Sequence, residues 1–172
     1  MTEGAMTSSP QQRIVWPARF TPERVPVHVS NQLFIPASPA IVWAWLVRAP
    51  LWPTWYANAH HVRGVDGEAL TDLTAGSCFL WETFGVAIRS EVAEYLQGER
   101  IAWSAKGMGV DAYHAWLLMP EGDGCRVLTE ESQYGWGARI VNFVLPNRMS
   151  DGHELWLKSL EIKSRQGLPP AL

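Results

Sequence analysis

The chain is poor in the residues that mark several functional classes. It has two cysteines, Cys78 and Cys125, too few for a disulfide framework or a zinc site, and both lie in apolar runs where a small hydrophobe serves. It lacks an excess of positive charge: 14 Lys and Arg against 17 Asp and Glu leave a formal net charge of -3, which offers no basic field for nucleic acid. It lacks a long hydrophobic run. The longest, Pro39 to Val47, is far short of the ~20 residues that cross a bilayer. No charged region followed by a hydrophobic one opens the chain. No membrane span is expected, and the expectation is a cytoplasmic protein. Chemical motifs are scarce as well. Gly107-Met108-Gly109 has no strand–helix context for a nucleotide loop and reads as a turn. His60 and His61 are adjacent, project to different sides and make a poor metal pair. No nucleophile motif or ligand spacing stands out, so no metal, no cofactor and no catalytic residue is assigned.

What the 172 residues do contain is a folded domain's composition, 47% hydrophobic and 18% charged. Ten tryptophans, at 16, 43, 45, 52, 55, 81, 103, 116, 136 and 156, exceed what a core of this size requires. The surplus points to an unusually aromatic core or to the wall of an apolar pocket.

Residues 1–12 are small and polar without periodicity, as in a loose tail. Residues 13–26, with Trp16, Phe20 and three prolines, read as an extended arm packed by its aromatics. Together 1–26 form the expected tail and arm, 27–166 one domain and 167–172 a C-terminal tail. Val27 to Ile35 alternates as a half-buried strand. Ser38 followed by Pro39 is a helix start, Pro50 stops that helix, and Leu51-Trp52-Pro53-Thr54-Trp55-Tyr56 builds a short second helix or turn. From residue 62 the period becomes two, with strands at His61–Asp66, Cys78–Phe84, Val86–Leu96, Arg100–Ala105, Ala112–Met119 and Cys125–Gln133. The pattern turns helical over Trp136–Leu145 and Met149–Gln166, where Met149, His153, Trp156 and Leu160 share one face.

Short loops allow the strand phases to be tested, because a two-residue turn makes paired positions add to a constant. A Phe84-Gly85 loop sets Trp81 opposite Ile88 and Phe79 opposite Ser90, with the charged side chains on the other face. A Gln97-Gly98 loop pairs Val92 with Trp103 and Glu94 with Ile101. A six-residue connection from Lys106 to Asp111 sets Trp103 opposite His114 and Ile101 opposite Trp116, and a turn at Glu121–Gly124 sets His114 opposite Glu131 and Trp116 opposite Thr129. Phe79, Trp81, Ile88, Ser90, Trp103, His114, Trp116, Thr129 and Glu131 then share a surface. The opposite phase of the last two strands, with Tyr113, Ala115, Leu117 and Met119 beside Leu128 and Glu130, is nearly as apolar.

An antiparallel meander with such a face needs a cover, and the C-terminal helix is the long amphipathic segment available. The order of elements, Ile35-Pro36-Ala37-Ser38-Pro39 before Val42-Trp43, the Trp52-Pro53-Thr54-Trp55 element, Gly76 followed by Phe79 and Trp81, and His114-Ala115-Trp116 followed by Gly124 and Glu130-Glu131 together resemble the START-related SRPBCC superfamily. The match is nearest to the polyketide cyclase/dehydrase and lipid-transport-like family, over about residues 27–166. The resemblance implies an α+β helix-grip fold, a curved antiparallel sheet wrapped around a long C-terminal helix with two short helices after the first strand. It implies a cavity between sheet and helix and no single chemistry.

The candidate ligand-binding residues are Trp55, Tyr56, Phe79, Trp81, Ile88, Trp103, His114, Trp116, Thr129, Glu131, His153 and Trp156. A cavity of order 300–1,000 Å³ is expected between Trp81, Trp103, Trp116 and the His153 and Trp156 stripe. His114 and Glu131 are expected to satisfy each other or a ligand, since either is costly to bury alone, and His153 is placed at the rim. Three function classes follow: a carrier or sensor of a small hydrophobic, aromatic or polycyclic molecule; an enzyme of cyclase, aromatase or dehydratase type working by confinement plus one acid/base residue; and a protein-binding module, which would show a large exposed apolar patch. A monomer or a homodimer suits each.

Overall fold

A computed structural model describes residues 13–172; the expected tail over 1–12 lies outside the described residues. The alternating Val27–Ile35 segment forms β1. Ser38 then caps α1 (Pro39–Val47), its hydroxyl accepting from the Ile41 amide while Pro39 occupies the first turn. Arg48 ends α1, and Pro50 lies inside a single 3-10 turn, Ala49–Thr54. There the Trp52 indole donates to the Leu46 carbonyl at 3.0 Å and the ring is fully buried.

Six further strands complete one antiparallel sheet: β2 (His60–Gly64), β3 (Cys78–Thr83), β4 (Val86–Leu96), β5 (Arg100–Gly107), β6 (Val110–Glu121) and β7 (Gly124–Tyr134). Their spatial order is β1-β7-β6-β5-β4-β3-β2. The chain then forms α2 (Trp136–Val144) and the long α3 (Arg148–Ser164), which packs against β1 and α1. The helix-grip architecture is thereby established. Among the described residues no helix is long and apolar enough to cross a membrane.

The hairpin phases place the expected residues on one inner face. Trp81 pairs with Ile88 and Phe79 with Ser90, Trp103 with His114, and His114 with Glu131 and Trp116 with Thr129. Phe84 and Gly85, at φ 51° and 76°, make the tight two-residue turn whose twist suits a hairpin. Two details differ. Glu94 pairs with Ala102, not Ile101, because the turn holds three residues, Gln97, Gly98 and Glu99, and a bulge between Val92 and Glu94 then restores Trp103 opposite Val92. The β5–β6 connection is two residues, Met108 and Gly109, rather than six, because both strands extend to pair Gly107 with Val110. The position sum is unchanged, so the faces are too. The weak strand is His60–Gly64, and a 3-10 turn takes Val65–Gly67.

The nearly equal apolarity of the opposite phase has a structural cause. Ala102, Tyr113 and Ala115 on the outer face are buried under Ile14, Trp16 and Phe20 of the arm, so the central strands are covered on both sides. Residues 167–172 are not a free tail. The Trp45 indole donates to the Gly167 carbonyl at 2.7 Å, and Arg48 donates to the carbonyls of Pro169 and Pro170.

Trp52 is the core residue whose loss should matter most. Trp52→Ala is expected to cost about 3–5 kcal/mol in urea unfolding, whereas Trp136→Ala, at a side chain 64% exposed, should stay within about 0.5 kcal/mol. Equal effects would contradict this placement of the core.

Candidate functional site

Inward-facing positions of β3, β4, β5, β6 and β7, the Tyr56 ring after the 3-10 turn, and one face of α3 enclose a cavity of about 240 Å³. Its apolar wall includes Tyr56, Trp81, Phe84, Val86, Ile88, Ala105, Val110, Val141, Met149 and Trp156; its polar side chains are Thr83, His114, Glu131, Gln133, Arg148 and His153. Tyr56 stacks on Trp156 with ring centroids 4.3 Å apart, and the Trp81 indole donates to Ser90 Oγ at 3.0 Å.

Seven of the twelve candidates therefore border this space: Tyr56, Trp81, Ile88, His114, Glu131, His153 and Trp156. The other five stand elsewhere. Trp103, Trp116 and Phe79 are fully buried packing residues, Trp103 and Phe79 touching Trp52 and Trp116 touching Trp156. Trp55 is half-buried against Trp45. Thr129 sits behind His114, its hydroxyl 2.8 Å from Nε2. The cavity is also smaller than expected, for a physical reason. Trp52 enters the space between the sheet and α3, meeting Trp81, Trp103 and Trp156 at centroid distances of 5.2–5.5 Å, and its volume replaces part of the void.

The polar end is one connected cluster. Glu131 Oε1 accepts from Gln133 Nε2 at 2.6 Å. Its Oε2 lies 3.3 Å from His153 Nε2 and 3.4 Å from His114 Nδ1. The two imidazoles are nearly parallel, with centroids 4.8 Å apart. His153 is 2% exposed, so it lies inside, not at the rim. Burial strips the His114 cation of its hydration and outweighs the attraction of Glu131, with His153 acting in the same direction as burial, so its pKa falls to about 3. Burial alone would raise the Glu131 carboxyl. The neighbouring His114 charge and hydrogen bonds from His153 and Gln133 outweigh it and bring the group down to about 2. Near neutral pH the site thus holds a neutral His114 and an ionised carboxylate. Burial also pushes the Tyr56 phenol well above its usual value. His153 Nδ1 and Trp156 Nε1 are buried without a hydrogen-bond partner among the described residues.

Sequence reasoning missed Gln133, Arg148 and Phe84. Gln133 had a signal, since it lies two residues beyond Glu131 and therefore on the same face. Arg148 and Phe84 had none: the guanidinium lies over the Phe84 ring at 5.3 Å, a contact between a hairpin turn and the start of α3. Gly152 lets that ring approach, since a Cβ there would meet Phe84 at 2.3 Å.

A seven-stranded sheet closed on a C-terminal helix around such a cavity defines the helix-grip class. Residues 26–160 match the model of the family described as polyketide cyclase / dehydrase and lipid transport, and the chain belongs to that family. A hypothetical protein from Helicobacter pylori is 32% identical over 94% of this chain and 100% of its own, with a TM-score of 0.83. A START superfamily protein from Mycobacterium smegmatis shares the fold at 15% identity (TM-score 0.61, 81% of this chain and 97% of that one). So does the di-domain ARO/CYC StfQ from the steffimycin biosynthetic pathway, at 13% identity (TM-score 0.66, 81% of this chain and 51% of that one). Comparison with curated proteins gives no match.

Because the pKa values of His114 and Glu131 both lie below their ordinary values of 6.5 and 4.5, unfolding takes up protons in acid. Stability contributed by the pair is complete above about pH 6.5 and is lost as pH falls, first through the histidine window and then the carboxylate window. The urea midpoint should fall between pH 7 and 4 more steeply in the wild type than in His114→Gln. Parallel pH profiles would show that His114 is not buried in its neutral form.

Proposed function

We propose that this protein binds one small, mainly apolar molecule of one or two rings, carrying a hydrogen-bonding group, and acts as its carrier or sensor. The observation that carries this reading is the pairing of an aromatic-walled cavity with unpartnered buried polar atoms, His153 Nδ1 and Trp156 Nε1. An unpartnered buried polar group costs on the order of 1–3 kcal/mol, so a ligand that supplies the partner gains affinity from a cost the empty fold already bears. Size supports a small guest. An apolar cavity of about 150 Å³ accepts benzene, and about 240 Å³ suits a bicyclic molecule better than a tetracyclic one.

A second reading has its own observation in its favour. Glu131 beside the Nε2 of His153 is the kind of carboxylate–imidazole arrangement that orients a base, and Nδ1 has no hydrogen-bond partner among the described residues. The cyclase or dehydratase alternative rests on that dyad and on the family's description. The partner-binding alternative rests on α2, where Trp136, Ile140, Phe143 and Val144 are exposed while the neighbouring Val141 reaches the cavity.

The test is a tryptophan-fluorescence titration with naphthalene and 1-naphthol. Both should quench emission, with 1-naphthol binding about 3- to 10-fold more tightly, the worth of one net hydrogen bond. His153→Phe should remove that preference while retaining naphthalene binding, and Ile88→Trp should abolish both by filling the space. Absence of quenching by either probe in the wild type would refute the carrier reading. A 1-naphthol preference that survives His153→Phe would move the polar contact to another residue.

A further inference from the structure

The distances around Glu131 carry a second conclusion. A charge-assisted hydrogen bond to a buried carboxylate is normally about 2.7–2.9 Å long, and Gln133 approaches the Oε1 atom at 2.6 Å. The two imidazole nitrogens stand off from Oε2 at 3.3 and 3.4 Å, so neither makes a short bond. Those two separations, unlike the wider spacing that the three donor atoms together span, match another arrangement. Ligands bound tetrahedrally to a zinc-type ion through bonds of about 2.0–2.1 Å are about 3.3 Å from one another. One nitrogen from each histidine and one carboxylate oxygen all lie within 4.8 Å of one another, and all three residues are buried.

The surroundings of the cluster fit the same chemistry. Metal-bound histidines usually have their second nitrogen held by a fixed partner. Thr129 Oγ1, 2.8 Å from His114 Nε2, leaves Nδ1 for an ion, and Gln133 fixes the carboxylate through its other oxygen. Among the described residues no Lys or Arg is paired with Glu131, whose oxygens meet Gln133 and the two imidazoles among aromatic rings, and a divalent cation would compensate the carboxylate charge there. All three side chains border the cavity, so the remaining coordination position faces it.

We infer that His114, Glu131 and His153 form a binding site for one divalent transition-metal ion of the zinc type, with an open coordination position facing the cavity. That position would take water or an oxygen or nitrogen donor of a bound molecule. Linear spacing conceals such a site, because its ligands come from β6, β7 and α3. The inference stands on the cluster alone and does not depend on what organic molecule the cavity accepts.

The experiment uses the full chain, stripped with a chelator and titrated with Co2+ in the absence of any organic probe, read by visible absorption and by calorimetry. One ion per chain is expected, with the intense d–d bands of four- or five-coordinate cobalt. Glu131→Gln and His153→Phe should each abolish those bands and weaken binding by at least about 100-fold. Thr129→Val, which keeps shape but removes the hydroxyl, should weaken it about 10- to 100-fold. The double variant His60→Ala/His61→Ala, altering an exposed pair at the start of β2, should bind as the wild type does. Wild-type protein giving only the pale spectrum of hexaaqua cobalt would overturn the site whether or not any variant folds. So would bands that persist in Glu131→Gln and His153→Phe. Loss of naphthalene quenching with the cobalt bands intact would refute the organic-ligand reading alone.

Discussion

Trp156 organises the interior. Its indole, on the inward face of α3, meets the rings of Trp52, Tyr56, Trp81, Trp103, His114 and Trp116 at centroid distances between 4.3 and 6.3 Å. These partners come from the 3-10 turn, the segment after it, and strands β3, β5 and β6, so one side chain ties α3 to most of the sheet's concave face. Edge-to-face and offset aromatic pairs add about 0.5–1.5 kcal/mol each beyond area burial, and they are directional, which fixes how the helix sits in the sheet as well as that it sits there. The position and size of the cavity follow from this packing. The cavity is the part of the concavity that Trp52 and Trp156 leave unfilled, toward Phe84 and α2.

The polar cluster depends on the same packing. Glu131 is placed by the register of β7 on β6, and His153 reaches it because Trp156, three residues later on the helix, holds that face inward. Burial then keeps His114 neutral, while its neighbours keep Glu131 ionised against burial, near neutral pH. An aromatic enclosure with an anionic, imidazole-flanked end is directional, with one polar end and one apolar end. That asymmetry unites the carrier and the acid/base readings, which differ only in whether the molecule that leaves is the one that entered.

Much of the fold was legible because hairpin arithmetic is insensitive to small errors. The β5–β6 connection was read as six residues and is two, yet Trp103 still faces His114, since lengthening both strands equally preserves the pairing sum. A turn one residue longer breaks that rule. The three-residue turn Gln97–Glu99 places Glu94 opposite Ala102 instead of Ile101, the bulge near Val92 restores the inner face, and no residue pattern announces either. The site was half legible for a different reason. Strand phase tells which side chains face inward but not how far along the concavity another residue comes to fill it. Trp103 and Trp116 were placed on the correct face and still line no cavity, because Trp52 occupies the space before them. The closeness of His153 to His114 and Glu131 required the depth of α3 in the sheet, a property of packing rather than of periodicity. The apparent ambiguity of β6 was itself informative, since its second apolar face awaited the arm.

The arm and β1 have a consequence for the order in which the molecule can be assembled. β1 pairs with β7, Val27 opposite Gln133, and the Tyr134 hydroxyl lies 3.0 and 2.9 Å from the carbonyls of Arg19 and Arg24. The arm and β1 therefore leave the ribosome well before their partners, which lie more than a hundred residues downstream. Until β7 has emerged, β1 has an unpaired edge and Trp16 and Phe20 have no surface to cover, a state exposed to wrong pairings. The adjacent hairpins from β3 to β7 need no such wait, because each closes on its sequence neighbour at low entropic cost. The chain is thus arranged to build its sheet outward from the middle and to seal it last with an arm and strand that were made before it.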